Sequence, residues 1–197
     1  MERSKPWRMS AVFLPVAIAL LMATLQVKAQ GPAASAACGK AKVHMANPLY
    51  LTLPQVIAAI EPPQGWVLDE TRKNPFYLLK AGEKYESART LIYINIQMLD
   101  GPFQSAVEND ERSFKESCKQ SRIEDMEQFE ILEQGCQRKT QIFRCEKPQG
   151  GWVDLATKIS IDGLLLNVVL SADNMEEIAR YRKDYEHLLM HLALVAR

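Results

Sequence analysis

Hydrophobic and polar positions alternate most regularly between Trp152 and Ser171. Val153, Leu155, Thr157, Ile159 and Ile161 alternate with Asp154, Ala156, Lys158 and Ser160, and Leu164 to Leu170 follow an Asp162-Gly163 step. Asp-Gly between two β-rich runs predicts a type I′ hairpin, because both central residues of that turn need positive φ. A two-residue loop sets Ile161 opposite Leu164, Ile159 opposite Leu166, Thr157 opposite Val168 and Leu155 opposite Leu170. Leu165 and Val169 make the second strand apolar on its other side too, and a strand apolar on both faces sits mid-sheet. The hairpin is therefore expected at the centre of an antiparallel sheet packed between layers. The same apolar pattern argues against an active site there and assigns function to loops and edges.

The rest of the chain supplies partners for that hairpin. Leu53 to Ile60 reads as about two helical turns, stopped by Glu61-Pro62-Pro63-Gln64-Gly65 because paired prolines cannot continue a helix. Short strands are expected at 66–68 and 76–79. A long strand is expected over 89–99, with Ile92, Ile94, Ile96 and Met98 on one face. Residues 103–120 predict a helix with Phe103, Val107, Phe114 and Cys118 near one side. Strands follow at 127–134 and 141–145, separated by a polar turn around Arg138 to Gln141. A closing helix is expected over 174–196, capped by Ser171 or Asp173. Its stripe is Ile178, Tyr181, Tyr185, Leu188, Leu192 and Val195. No fixed-period repeat occurs. The predicted class is α+β: an antiparallel sheet of about five to seven strands packed by helices.

The N-terminus changes the domain count. Met1 to Ser10 carries Arg3, Lys5 and Arg8 against Glu2, Ala11 to Val27 is uncharged and apolar, and Val27-Lys28-Ala29 offers a small-residue exit. This is the pattern of a secretory signal. The expected division is a signal peptide over 1–29, a flexible leader over 30–45 and one α/β domain over 46–197. Two alternatives attach the chain to a membrane: an uncleaved anchor, although the apolar run is short for a span of about 20 residues and contains Pro15, and lipidation at Cys38. The whole chain balances 24 basic against 24 acidic groups. The first 29 residues hold four of the basic and one of the acidic groups, so the exported part carries −3. Such a chain is poorly suited to nucleic acid or an anionic membrane surface.

Cys38, Cys118, Cys136 and Cys145 all lie in the exported part. An even count in an oxidising compartment predicts two disulfides, and four cysteines allow three pairings. If the turn around 138–141 is tight, Cys136 and Cys145 lie opposite each other on adjacent strands. Cys136–Cys145 is then the expected bridge, and Cys38–Cys118 remains. No Cys-x-x-Cys pair argues for a metal.

Catalytic patterns are lacking: the sequence has no Gly-x-Ser-x-Gly elbow and no phosphate loop around Gly150-Gly151. No cofactor is implied. Asp184, His187 and His191 are the one candidate metal set, since spacings of three and four share a helix face. They lie off the apolar stripe, where an exposed polar face is the plainer reading. His44 has no visible partner. Asp110-Glu111 and Glu124-Asp125 read as solvated charge. Trp66, Trp152, Tyr77 and Tyr93 read as core or core edge, with a ligand pocket as the alternative.

Several features resemble the PsbP-like α/β/α sandwich proteins. They are Pro63-x-Gly65-Trp66 before a short strand, the isoleucine-rich strand at 91–98, the helix after Pro102, Gly151-Trp152 before the hairpin, and the closing Glu176 to Tyr185 helix. That superfamily includes lumenal PsbP proteins, a Ran-binding import factor family and periplasmic proteins of the DcrB type. The likeness covers about residues 45 to 195 and implies a non-enzymatic domain that binds a partner, often near a membrane. It transfers no functional residue. The expectation is an exported, periplasmic or secreted bacterial domain binding a protein or envelope component without catalysis. The alternative is a periplasmic metal-dependent or hydrolytic enzyme using His187 and His191.

Overall fold

The computed structural model describes residues 35–36, 45–52, 57–126, 130–131, 136–147 and 150–195. Residues 31–197 belong to one unit. Its first strands are β1 (Ser35–Ala36), β2 (Leu49–Thr52), β3 (Ile57–Ile60), β4 (Trp66–Leu68), β5 (Phe76–Lys80) and β6 (Thr90–Met98). Helix α1 (Phe103–Ser117) follows, then β7 (Ser121–Asp125), β8 (Glu130–Ile131), β9 (Gln137–Cys145), β10 (Trp152–Ile161) and β11 (Leu164–Ala172). Helix α2 (Met175–Met190) and β12 (Leu192–Val195) close the chain.

The hairpin takes the expected register: Ile161 faces Leu164, Ile159 faces Leu166, Thr157 faces Val168 and Leu155 faces Leu170. Asp162 and Gly163 have φ of 50° and 75°, as the type I′ turn requires. The hairpin is central in the main antiparallel sheet, whose order is β4-β5-β6-β11-β10-β9-β7, with β8 paired to β9. One face carries Ile92, Ile94, Leu155, Ile159, Leu166, Val168 and Leu170, all buried. Ile178, Tyr185 and Leu188 of α2 pack into this face, and the Tyr185 hydroxyl donates to the Val168 carbonyl at 2.8 Å. Burial of each such side chain contributes about 1.5–3 kcal/mol, so this layer dominates the stability.

A smaller sheet of order β1-β12-β3-β2 packs on the same core through Leu51, Ile60 and Leu192. Helix α1 covers the opposite face of the main sheet. Phe103 and Val107 pack on Leu165, and Phe114 packs near Phe143, Ala156 and Val169. The layers are therefore α1, the main sheet, and α2 with the small sheet.

Four expectations are corrected. Residues 57–60 form a strand, not the end of a helix, because β2 and β12 pair with them on both edges. A short apolar run such as Ile-Ala-Ala-Ile fits either geometry until a partner decides. The closing helix stops at Met190, and Leu192 and Ala193 are buried in β12 instead of extending the stripe. Its cap is Asn174, whose Oδ1 accepts from the Glu177 amide at 3.0 Å; Ser171 is still in β11. The turn predicted at 138–141 does not exist, since β9 runs unbroken from Gln137 to Cys145 along β10. Within the segment expected to be a flexible leader, Ser35 and Ala36 pair with Leu194 and Ala193.

Loss of that turn overturns the predicted disulfides. Cys136 and Cys145 bracket a single nine-residue strand, which spans about 30 Å. Cys145 instead bonds Cys118, with Cα atoms 5.8 Å apart. The pairing follows from β7, absent from the sequence-based layout, which runs back along β9 and sets Ser121 opposite Cys145. Cys118, three residues earlier, reaches the same sheet end. This excludes both Cys136–Cys145 and Cys38–Cys118. Cys136 is also disulfide-bonded, and Cys38 lies outside the described residues.

Candidate functional site

The face of the main sheet beneath α1 differs from the face beneath α2. Strand alternation sends Trp152, Asp154, Ala156, Lys158 and Ser160 toward α1. The ladder continues the pattern sideways: Lys158 has Lys139 on one side and Asn167 on the other, and Asn167 faces Asn95. A row Lys139, Lys158, Asn167, Asn95 thus crosses four central strands. Gln141, Ala156, Val169 and Tyr93 form the next row. Cross-strand neighbours have Cβ atoms about 4.5–5.5 Å apart, so the first row forms a continuous polar strip, and the second is apolar in its middle at Ala156 and Val169.

Helix α1 clamps both ends of this strip and leaves its middle open. Phe103 and Val107 seal one end on Leu165. Phe114 seals the other, with its ring 5.1 Å from Phe143 and 6.4 Å from Trp152, both edge-on. Between them lie two cavities of about 330 and 360 Å³, which share Asp110, Ser113 and Asn167 in their linings. The first is walled by Tyr93, Phe114, Phe143 and Trp152. The second is lined by Asn95, Gln97, Asn109 and Lys158. Each volume lies within the range of small-ligand sites.

Two side chains in this cleft hold buried acceptor atoms without a hydrogen-bond partner, Asp154 Oδ1 and Asn167 Oδ1. Lys158 is only 3% exposed and sits in an ion pair with Asp110 on α1. An ammonium has three protons, so the pair leaves donor capacity unused. Asp154 is the most perturbed group. Burial pushes its carboxyl up to about 6, hydrogen bonding from Ser171 and Trp152 opposes the rise, and the nearby Asp110 charge reinforces it. Burial also raises the Tyr93 phenol, with Asp154 and Asp110 adding to the effect. Unpartnered buried polar atoms are uncommon in folded proteins and point to ligand or water.

The carboxylates read as solvated charge bind this layer together. Gln141, 1% exposed, donates to Glu111 Oε1 at 2.7 Å and to Asp125 Oδ1 at 3.0 Å. Lys139 Nζ lies 2.7 Å from Asp125, and these two contacts hold the Asp125 carboxyl below its ordinary range, Lys139 first. A groove of about 300 Å³ between α2 and β9–β10 is lined by Leu155, Thr157, Tyr185 and Leu189. Its Thr140 and Thr157 hydroxyls satisfy each other at 3.0 Å.

The proposed metal triplet divides. Asp184 turns away from both histidines: its Oδ2 accepts from the Trp66 indole at 2.7 Å and lies 3.6 Å from Lys80 Nζ. This contact fastens the β4–β5 hairpin to α2, and Lys80 stacks over Trp66 and Tyr181. His187 and His191 do adjoin, with rings stacked at 4.0 Å. They are half-buried, not on an open face, because the chain leaving β3 passes over them and brings Glu61 to their side. His44 lies outside the described residues. Of the aromatics weighed as pocket walls, Tyr93 and Trp152 line the cleft, while Trp66 is buried against Tyr181.

The hairpin is therefore not apolar throughout. One signal was visible: Asn167 interrupts an otherwise apolar run, and a polar residue in a central strand needs a partner or a ligand. What was hidden is that Lys158, Asn95 and Asp110 converge on it, because that depends on strand order and on the side taken by α1.

An antiparallel sheet covered by one helix on one face and by a helix with a small sheet on the other is an α/β/α sandwich. Solved structures similar to this chain include LpqN of Mycobacterium tuberculosis, a protein involved in cell envelope biogenesis. It has a TM-score of 0.56 and 10% identity over 76% of this chain and 90% of that one. The cyanobacterial PsbP (CyanoP) of Synechocystis gives 0.48 and 12%, over 80% and 96% of the two chains. The Ran-binding protein Mog1p of Saccharomyces cerevisiae gives 0.48 and 11%, over 76% and 96%. No protein-family model and no curated protein matches the chain. At such identities the likeness establishes fold and transfers no residue role.

Proposed function

We propose that this protein is an exported, non-catalytic binding domain that holds an envelope component in the cleft between α1 and the main sheet. The observation that carries the reading is the unpartnered acceptor atoms of Asp154 and Asn167, buried beside the Lys158–Asp110 pair in an open cleft with aromatic walls. Both are acceptors, so they suit a ligand that brings hydrogen-bond donors. Flat aromatic rings beside acceptors suit a hydroxyl-rich molecule with an apolar face, and a saccharide has both. Export is supported by the N-terminal pattern and by the Cys118–Cys145 disulfide, which belongs to an oxidising compartment. Among the described residues no helix is long and apolar enough to cross a membrane. LpqN, whose fold this chain shares, is involved in cell envelope biogenesis.

The test is titration of the purified protein with neutral mono- and disaccharides, followed by NMR. Binding should move the amide and side-chain signals of Asn167, Asn95 and Trp152, and Asp154→Ala should weaken it at least about tenfold, the loss expected for a charged hydrogen-bond partner. Saccharides that leave those signals in place, together with an envelope protein retained equally by wild type and Asp154→Ala, would remove the cleft from the binding function.

A further inference from the structure

We propose that Glu61, His187 and His191 form a zinc site joining the small sheet to the end of α2. One ligand atom from each of these residues lies within 4.8 Å of the others. Tetrahedral zinc, with ligands about 2.0–2.2 Å away, holds its ligand atoms about 3.4 Å apart. The observed spacing is looser than that, so the three ligand atoms draw together when the ion binds.

Backbone bonding already fixes the framework. The Glu61 amide donates to the His191 carbonyl at 3.1 Å, so the residue after β3 is locked to the C-cap of α2. His187 and His191 are one helical turn apart, and their rings lie at 24° to each other. His191 Nδ1 lies 2.8 Å from the His187 carbonyl. A carbonyl oxygen only accepts, so Nδ1 carries the proton and Nε2 keeps its lone pair for a metal. A second bond of this type is the usual means of orienting a metal-binding imidazole. The Glu61 carboxylate accepts from the Ala46 amide, with both oxygens at 3.3 Å. Those long bonds orient the group and leave lone pairs free.

The donor set selects the ion. Two imidazoles and one carboxylate suit zinc, whereas calcium and magnesium prefer all-oxygen shells. Three protein ligands leave a fourth position for water, so the site is an exchangeable one. Glu61 replaces Asp184 as the acidic member, and it is 126 residues from His187 in sequence, which is why helix spacing alone could not find it.

The experiment is titration of the metal-free full chain with zinc alone, by calorimetry and by NMR of the imidazole ring signals. One equivalent should bind, shifting the rings of His187 and His191 together. Glu61→Gln and His191→Ala should each weaken binding by about tenfold or more, whereas Asp184→Asn should leave it unchanged. Zinc should raise the unfolding temperature of the wild type and not of Glu61→Gln. Equal affinity in Glu61→Gln and wild type, or a loss in Asp184→Asn matching that of Glu61→Gln, would overturn the proposal. If Glu61→Gln unfolds, the wild-type ring signals decide: movement of only one ring, or of neither, rejects the site.

Discussion

Asp154 is a carboxyl kept in a place that disfavours its charge. Burial lifts its folded pKa to about 6, against about 3.9 in an unfolded chain. Between roughly pH 4 and 6 the unfolded chain has lost a proton that the folded protein still holds. Stability therefore falls as pH rises through that window and stays lower above it. The penalty is up to about 3 kcal/mol. Asp154→Asn should be more stable than wild type at pH 7.5 and should lack the fall between pH 4 and 6. Urea denaturation of both proteins at pH 4 and 7.5 measures this, and a variant less stable than wild type at pH 7.5 would contradict the account. The proposed binding role gives this destabilising side chain a reason to be there.

Helix α1 is held by charge in its middle as well as by apolar contacts at its ends. Asp110 neutralises Lys158, whose ammonium is almost wholly buried. Asp110→Asn leaves that charge uncompensated and should destabilise by about 2–3 kcal/mol, less than the 3–5 typical of a deeply buried pair because Asp110 is half-exposed. Adding Lys158→Met should recover most of the loss, as a double-mutant cycle by denaturation will show. A double variant as unstable as the single one would mean that Asp110 acts elsewhere. Elements with local signals were legible in the sequence: the Asp162-Gly163 hairpin and its register, β6, the bulk of both helices and the α+β class. β3, β7 and β12 were not, because each is a strand only through partners far along the chain. Lys139 and Gln141 misled for the same reason. Polar residues in sequence, they occupy a buried layer whose partners Glu111 and Asp125 come from α1 and β7.

At the scale of the molecule, the Cys118–Cys145 bond ties the end of α1 to the sheet beside the cleft. It closes a loop of 27 residues, worth about 3.5 kcal/mol in unfolded-chain entropy. Non-reducing peptide mapping should recover the 118–145 pair. Replacing both cysteines by alanine should lower stability by about that amount and loosen the α1 side more than the α2 side, as read by amide exchange. Recovery of a Cys136–Cys145 peptide would refute the topology. The cleft's membership was legible only in part, because Asn167 was conspicuous while its neighbours needed the strand order.

The order β1-β12-β3-β2 has a consequence for how the chain assembles. The main sheet needs nothing beyond residue 172, and α2 is a local structure that can dock as it forms. The small sheet is different: its second strand is Leu192–Val195, the last described residues, and it pairs with segments more than 130 positions earlier. Contacts so distant in sequence form slowly and late. β3 therefore keeps an open edge until β12 docks on it, and β12 acts as the latch that completes the small sheet.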